Sequence, residues 1–252
     1  MRGLELCQVV PGAASGATLP PERRRLIYRA ATDYAAQLVE QLLARPSDAL
    51  LHDPHFPAAH QGILLRQAGV PMARAVYLPN RDPDGLRAQV TWLGGFPVVL
   101  KRPGTEGGAG VSLAEDLDDL VGQMAKAPGG TQIEAFVAHK RCWRLTVLKG
   151  QVLAATASVA ADDDFRTNAP GSREEPSAVL PPEAPNIAVN AVSALRLDFG
   201  GVDLMEGPDT NLTVAEVNFP CFFAHQQDVT GADIAGAIVD HLQQKVAVNV
   251  VA

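Results

Sequence analysis

Apolar residues recur at two spacings along the chain, and these spacings predict its secondary structure. Between residues 23 and 44 they recur every four positions, as in an amphipathic helix. Short apolar runs bounded by glycine, proline and asparagine predict strands. These strands are 73–78, 96–101, 111–114, 131–137, 141–149, 151–160, 199–206 and 212–217. Further helices are predicted at 58–67, in a segment ending at 92, and at 115–126, 183–197 and 232–246.

The order of these elements predicts an α+β fold in four parts. Residues 1–56 form a short helical segment, 57–96 a connecting region, 97–137 a smaller unit with a glycine-rich loop, and 138–252 a larger unit. Short turns between consecutive strands favour antiparallel sheets. The polar stretch 161–182 is predicted to be a long functional loop, since such loops are uncommon in compact domains.

Composition excludes several classes of protein. The chain has 252 residues and a net charge of −7, which argues against a general nucleic-acid binder. No apolar run reaches the roughly 20 residues of a membrane span, and the first residues lack the pattern of a signal peptide. The three cysteines form no Cys-x-x-Cys pair, as expected for free thiols in a reducing compartment. We therefore expect a cytoplasmic protein whose partners include neither nucleic acid nor a membrane.

Three oxygen-bearing side chains fall on two predicted strands that are consecutive in the chain. Glu216 and Asn218 are two residues apart, so we expect them on one face of the sheet, beside Leu212 and Val214. In one register Asp203 lies opposite Glu216, whereas a slip of one residue would turn it away. Carboxylates held close together repel, and a cation between them relieves the repulsion. Oxygen ligands suit Mg²⁺ or Mn²⁺ rather than zinc, although three polar residues also fit a solvated strand face.

Lys101 ends an apolar strand that runs directly into a glycine-rich loop. The loop contains Gly104, Gly107, Gly108 and Gly110. An ammonium beside backbone N–H groups that are free of side chains can cradle phosphate. The lysine precedes the loop, so this is not a Walker motif, and a plain flexible turn remains the alternative.

The order of the motifs resembles the ATP-grasp superfamily, and within it the RimK-like carboxylate–amine ligases. The resemblance covers the chain from about residue 57 to the C-terminus. It rests on the lysine and glycine loop above, followed by Ile133-Glu134-Ala135-Phe136-Val137, Arg144, Asp164-Phe165-Arg166-Thr167-Asn168, Gly201-Val202-Asp203-Leu204 and Glu216-Val217-Asn218. The presence of all these motifs in one order is more specific than any one of them.

The resemblance implies an ATP-grasp fold, with two α+β subdomains whose antiparallel sheets sandwich ATP, and with a reduced N-terminal domain. It implies that Lys101 contacts the ATP phosphates and that the glycine loop closes over them. It further implies that adenine is bound by the backbone of Glu134, Ala135, Phe136 and Val137. By the same resemblance, magnesium is bound by Asp203, Glu216 and Asn218. The substrate carboxylate and the acyl-phosphate are then bound by Arg144, Arg166 and Asn168. For the two arginines the alternative is surface ion pairing, notably with residues 162–164.

The implied activity is ATP-dependent formation of an amide bond between a small-molecule carboxylate and an amine, through an acyl-phosphate. An amino acid or small peptide is the expected substrate. The alternatives are an ATP-dependent kinase of a small molecule and a catalytically silent, nucleotide-binding regulatory subunit.

The sequence departs from the family pattern in several places. Ala58, Ala59 and His60 stand where a further phosphate-directed lysine is usual, and Cys142 and Ser158 replace an aspartate and an arginine. The shortened N-terminus implies that part of the substrate wall comes from elsewhere, for which a second subunit of a homodimer is one source.

Overall fold

The computed structural model describes residues 25–29, 40, 48–52, 61–102, 110–126, 131–161, 164–167, 171–176 and 178–248. Among the predicted site residues, Gly104, Gly107, Gly108 and Asn168 lie outside the described residues.

Most predicted elements are present, with slightly different ends. The helices are α1 (Gln61–Gln67), α2 (Pro83–Leu93), α3 (Leu117–Ala125), α4 (Ala184–Ala194), α5 (Ala224–Thr230) and α6 (Ile234–Val248). The strands are β1 (Ala75–Tyr77), β2 (Val98–Lys101), β3 (Val111–Ala114), β4 (Gln132–Ala135), β5 (Arg141–Leu148), β6 (Gln151–Val159), β7 (Arg173–Glu174), β8 (Phe199–Glu206) and β9 (Leu212–Asn218). The described part of the chain is therefore α+β, as expected.

The smaller sheet has the strand order β1-β4-β2-β3, and all its pairings are antiparallel. Helices α2 and α3 pack on it around a core that includes Leu86, Val98 and Ile133. Asp82 begins α2, because its side chain accepts a hydrogen bond from the Gly85 backbone N–H at 2.7 Å. The opposite face of this sheet remains available to line a site.

The larger sheet has the order β7-β6-β5-β8-β9, again antiparallel. Helix α4 packs its alanine-rich side against one face, where Trp143, Leu145 and Leu204 are buried. At one end of the other face, α6 covers Leu148 and Phe199. The middle of that second face carries polar side chains, which form the candidate site below.

The predicted 23–44 helix is wrong at its start. Residues 25–29 are extended, and Leu26 forms a parallel bridge with Ala49. The Ile27 N–H donates to the Ala49 carbonyl at 2.9 Å, and Arg25 pairs with the buried Asp48 at 2.5 Å. These contacts link segments far apart in the sequence, so helical spacing alone could not predict them.

Two other elements were not predicted. The 161–182 stretch contains the short edge strand β7, and helix α5 follows β9 directly. Helix α5 has seven residues and is held by Gln226, which is 4% exposed. An element this short has too few residues to show a hydrophobic period.

Asp198 connects α6 to the start of β8. Its carboxylate accepts hydrogen bonds from Lys245 at 2.6 Å and His241 at 2.9 Å, while Lys245 also donates to the Leu50 carbonyl at 2.7 Å. Burial alone would raise the pKa of the Asp198 carboxyl, but the bonds from Lys245 and His241 outweigh it and hold that pKa below its usual range. The interaction therefore stabilises the fold in the ionised form.

We expect Asp198→Asn to lower the free energy of unfolding by about 1 kcal/mol at pH 7. The effect is modest because the Asp198 and Lys245 side chains are partly exposed to water. A carboxyl whose pKa is depressed by folding stabilises above its unfolded pKa and loses that effect as the pH falls. The difference in free energy of unfolding between Asp198→Asn and the wild type should therefore become smaller below pH ~4. Urea unfolding at several pH values measures this, with Asp209→Asn in an exposed turn as the control. A difference that is independent of pH would contradict it.

Candidate active site

A β-bulge in β9 decides which face of the larger sheet carries the polar residues. Asp203 pairs with Glu216 and Leu204 pairs with Val214, so Ala215 is an extra residue in β9. The sequence left this register open, and the structure has the one in which Asp203 lies opposite Glu216. The prediction that Glu216 and Asn218 lie beside Leu212 and Val214 is wrong, because the bulge shifts the alternation. Val214 is buried in the core with Val217, and Glu216 is exposed on the opposite face.

Asp203, Glu216 and Asn218 converge on this second face. The Asn218 side-chain amide donates to Glu216 Oε1 at 3.2 Å and to Asp203 Oδ2 at 3.3 Å. The Arg144 guanidinium donates to both oxygens of Asp203, with an Nη2 to Oδ2 distance of 2.8 Å. Burial raises the pKa of the Asp203 carboxyl to about 6. The neighbouring Glu216 also raises this pKa, whereas Arg144 lowers it. The raised pKa comes chiefly from burial, although Arg144 already pairs with Asp203.

The chemistry of these side chains fits a hard divalent cation. They supply two carboxylates and one amide, whose oxygens are ligands of the kind Mg²⁺ prefers. The Asn218 oxygen would face the ion only after the amide turns, because its nitrogen faces both carboxylates here. Within the described residues no group of three or more histidine, cysteine, aspartate or glutamate side chains could hold a metal ion. By the chemistry of their oxygens, Asp203, Glu216 and Asn218 are the residues that could hold magnesium.

The smaller sheet presents a charged pair to the same region. Lys101 Nζ lies 2.7 Å from Glu134 Oε2, and the Gln132 side-chain amide donates to Glu134 Oε1 at 2.8 Å. The pairing of β2 with β4 places these three side chains on one face. They line a cavity of about 180 Å³ whose other wall includes Ala215 and Glu216 of β9. The cavity thus separates the predicted phosphate lysine from the predicted metal strand.

A second contact holds the two sheets together beside this cavity. Met72 forms a parallel bridge with Val214, and the Val214 N–H donates to the Pro71 carbonyl at 2.8 Å. Met72 also lines the cavity. The segment before β1 therefore fixes the smaller sheet against β9.

The predicted adenine linker begins inside the smaller sheet. Strand β4 lies between β1 and β2, and the Ala135 N–H donates to the Arg74 carbonyl at 2.9 Å. Glu134 of this strand lines the cavity. Phe136 and Val137 come directly after the last residue of β4, Ala135. The Val137 carbonyl is 2.8 Å from the His139 ring. Adenine binding by this backbone stays a prediction.

Arg166 lies on a short segment held against the linker. The Phe165 ring packs edge-on against Phe136, with ring centroids 6.1 Å apart. Arg166 Nη2 donates to Asp164 Oδ2 at 2.8 Å, and these hydrogen bonds lower the pKa of the Asp164 carboxyl to about 2. The alternative weighed for this arginine, ion pairing with 162–164, is thus present. Arg144 instead pairs with Asp203, a predicted metal ligand.

Two contributors to the site escaped the sequence analysis. Gln226 of α5 donates to the Arg144 carbonyl at 2.7 Å and accepts a hydrogen bond from the Thr146 hydroxyl. It thereby fixes the strand position from which Arg144 reaches Asp203. Ala215 contributes as the extra residue of the bulge in β9, which directs Glu216 to the polar face. No local signal marks either residue, because both act through contacts between distant segments.

Comparisons with known proteins are consistent with this geometry. A family model for the RimK-like ATP-grasp domain matches residues 60–242. The chain belongs to the RimK-like ATP-grasp family. A relative named "Probable alpha-L-glutamate ligase" from Xanthomonas campestris pv. campestris is 32% identical over 229 residues, which cover 85% of this chain and 76% of the relative. Membership confirms the predicted family and an ATP-dependent ligase that joins a carboxylate to an amine.

Solved structures show the same ATP-grasp fold. The ligase PsnB complexed with a minimal precursor has a TM-score of 0.64 at 24% identity, over 84% of this chain and 70% of that chain. A second PsnB structure, complexed with a phosphomimetic variant of that precursor, Mg and ADP, has a TM-score of 0.60 at 23% identity, over 84% and 66%. D-alanine–D-alanine ligase from Bacillus anthracis has a TM-score of 0.58 at 20% identity, over 74% and 66%. The predicted ATP-grasp fold is therefore confirmed.

Among the helices of the described segments, none is both long and apolar enough to cross a membrane.

We expect Ala215→Leu to weaken ATP binding by about tenfold or more, because Ala215 lines the small cavity and a larger side chain would fill it. Calorimetric titration with a non-hydrolysable ATP analogue and Mg²⁺ measures the change. Ala235→Leu makes the same substitution at an exposed position of α6 and should bind as wild type does. Equal affinities in all three proteins would show that nucleotide does not enter this cavity.

Proposed function

We propose that this RimK-like ligase activates the carboxylate of an amino acid or small peptide as an acyl-phosphate and condenses it with an amino acid. The observation that supports this most directly is the cavity between the two sheets, with Lys101 on one wall and Glu216 on the other. A phosphate chain in that cavity would meet a cation from the smaller sheet and a metal site from the larger one. The relatives' names make L-glutamate the first amine to test.

Charge explains why this arrangement suits the reaction. A carboxylate that attacks a terminal phosphate is an anion approaching an anion, so the barrier falls when fixed positive groups surround the transferring phosphoryl group. In our proposal Lys101 holds the phosphates from one side. The glycine loop at 104–110, of which only Gly110 lies within the described residues, would cover them.

On the larger sheet, Asp203, Glu216 and Asn218 would hold magnesium. The bound ion would neutralise phosphate oxygens and orient them for transfer. Arg144 lies on the neighbouring strand β5, directly opposite Asp203 in the sheet. Its guanidinium balances the buried carboxylate and presents further N–H donors towards a substrate anion. Arg166 and Asn168 complete the proposed substrate side.

The acid–base requirements on the protein are modest. The attacking carboxylate is already ionised at neutral pH, so no protein base is needed for the first step. The second step forms the C–N bond and breaks the bond between the acyl carbon and the phosphate oxygen, and the released phosphate takes up the proton that the amine loses. Fixed charges and substrate positioning thus account for most of the proposed catalysis.

We expect Glu216→Gln to reduce turnover roughly a hundredfold while sparing the fold, since the glutamine keeps the shape but removes a metal-binding charge. Release of ADP and phosphate with Mg²⁺, L-glutamate and pooled carboxylates measures turnover, and circular dichroism checks the fold. Glu183→Gln, at an exposed helix start without a capping hydrogen bond, is the control. Near-normal activity of the Glu216 variant would contradict its metal role.

The same assay separates the alternatives to the ligase. A new amide formed in step with ADP supports the proposal, and mass spectrometry of the product identifies the two partners. A phosphorylated product without amide would favour the kinase. Binding of ATP without turnover across broad substrate pools would favour the regulatory subunit.

A further inference from the structure

The ion pair between Lys101 and Glu134 occupies the place at which phosphate is proposed to bind. Lys101 Nζ and Glu134 Oε2 are 2.7 Å apart, a short charge-assisted contact. The lysine side chain is 27% exposed and that of Glu134 only 10%, so water screens the pair weakly. An incoming phosphate therefore meets a lysine whose charge is already balanced.

The surroundings of Glu134 fix its carboxylate in that position. Strand β4 is enclosed by β1 and β2, so its backbone is held on both sides. The Gln132 amide donates to Glu134 Oε1 at 2.8 Å. When Lys101 turns towards a phosphate, Glu134 keeps this neutral partner and stays in the cavity wall. The carboxylate thus remains beside the nucleotide as a fixed negative charge.

The opposite wall adds to the negative charge. Glu216 lines the same cavity, and the charge of Asp203 beside it is already matched by Arg144. Any phosphate ligand consequently competes with Glu134 for Lys101 and is repelled by Glu134. The magnesium proposed to bind at Glu216 would offset the charge of the opposite wall. ADP experiences this competition as much as ATP does. It must nevertheless leave before a second ATP can enter.

We propose that Glu134 is a positioning residue that competes with phosphate for Lys101 and thereby promotes release of ADP. The proposal rests on the proposed function, in which Lys101 binds the nucleotide phosphates. The carboxylate is part of the cavity wall and belongs to the same sheet as the lysine. The Glu134 carboxylate pairs with Lys101 again when the nucleotide dissociates. This competing ion pair lowers the affinity for nucleotide and shortens the lifetime of the complex with ADP.

The test is the affinity for ADP of Glu134→Gln, which keeps the shape of the side chain and removes its charge. We expect Kd for ADP with Mg²⁺ to fall about tenfold, or ~1.4 kcal/mol. The steady-state kcat should fall, because ADP is released more slowly. The value of kcat/KM for ATP should not fall, because the variant captures ATP no more slowly than the wild type does. Glu115→Gln removes the same charge from an exposed position after β3 and should leave both quantities unchanged.

A double-mutant cycle assigns the effect to the pair. In a Lys101→Met background, Glu134→Gln should no longer tighten ADP binding, since the competition needs the lysine. Glu134→Asp keeps the buried charge but withdraws it from Lys101. It should tighten ADP by a smaller factor, and it serves as the test if Glu134→Gln does not fold.

The outcomes separate this proposal from the one before it. If the wild-type protein binds no ADP, the proposed function itself fails. If it binds ADP and the folded Glu134 variants bind it equally well or more weakly, only the competition between Glu134 and phosphate is overturned, and Glu134 is then a structural residue or a direct ligand of the nucleotide.

Discussion

The candidate site depends on how β9 pairs with β8. Antiparallel pairing places Asp203 and Glu216 opposite each other, and the extra residue Ala215 turns Glu216 and Asn218 away from the core. If this sequence paired without the bulge, Ala215 would lie opposite Asp203 and Glu216 would point to the same face as Val214. The bulge therefore allows the strand to contribute to the core with Val214 and to the polar site with Glu216.

Charge balance across the cavity is the second organising feature. The larger sheet pairs Asp203 with Arg144, and the smaller sheet pairs Lys101 with Glu134. Each pair buries charge that would be costly if either partner were absent. Glu216 remains as an exposed carboxylate between them. In the proposed complex, the magnesium would meet Glu216 and the nucleotide phosphates would meet Lys101.

The two sheets and the segments that join them keep these pairs in register. Met72 pairs with Val214, and the linker after β4 packs Phe136 against Phe165. Gln226 donates a hydrogen bond to the backbone carbonyl of Arg144. Residues from many separate segments thus set distances within one small volume. A substitution in any of them changes the site through its geometry.

The types of most elements, the order of the motifs and the family follow from the amino-acid sequence, because local periodicity and motif order can be read without knowledge of any contact. The register between Asp203 and Glu216 does not follow from it, since a slip of one residue fits the same two strands. That register, the face to which Glu216 points, the extended conformation of residues 25–29 and the ion pairs of Lys101 and Arg144 are set by the tertiary structure. Those features come from a single extra residue and from contacts between distant segments, for which a linear pattern holds no signal.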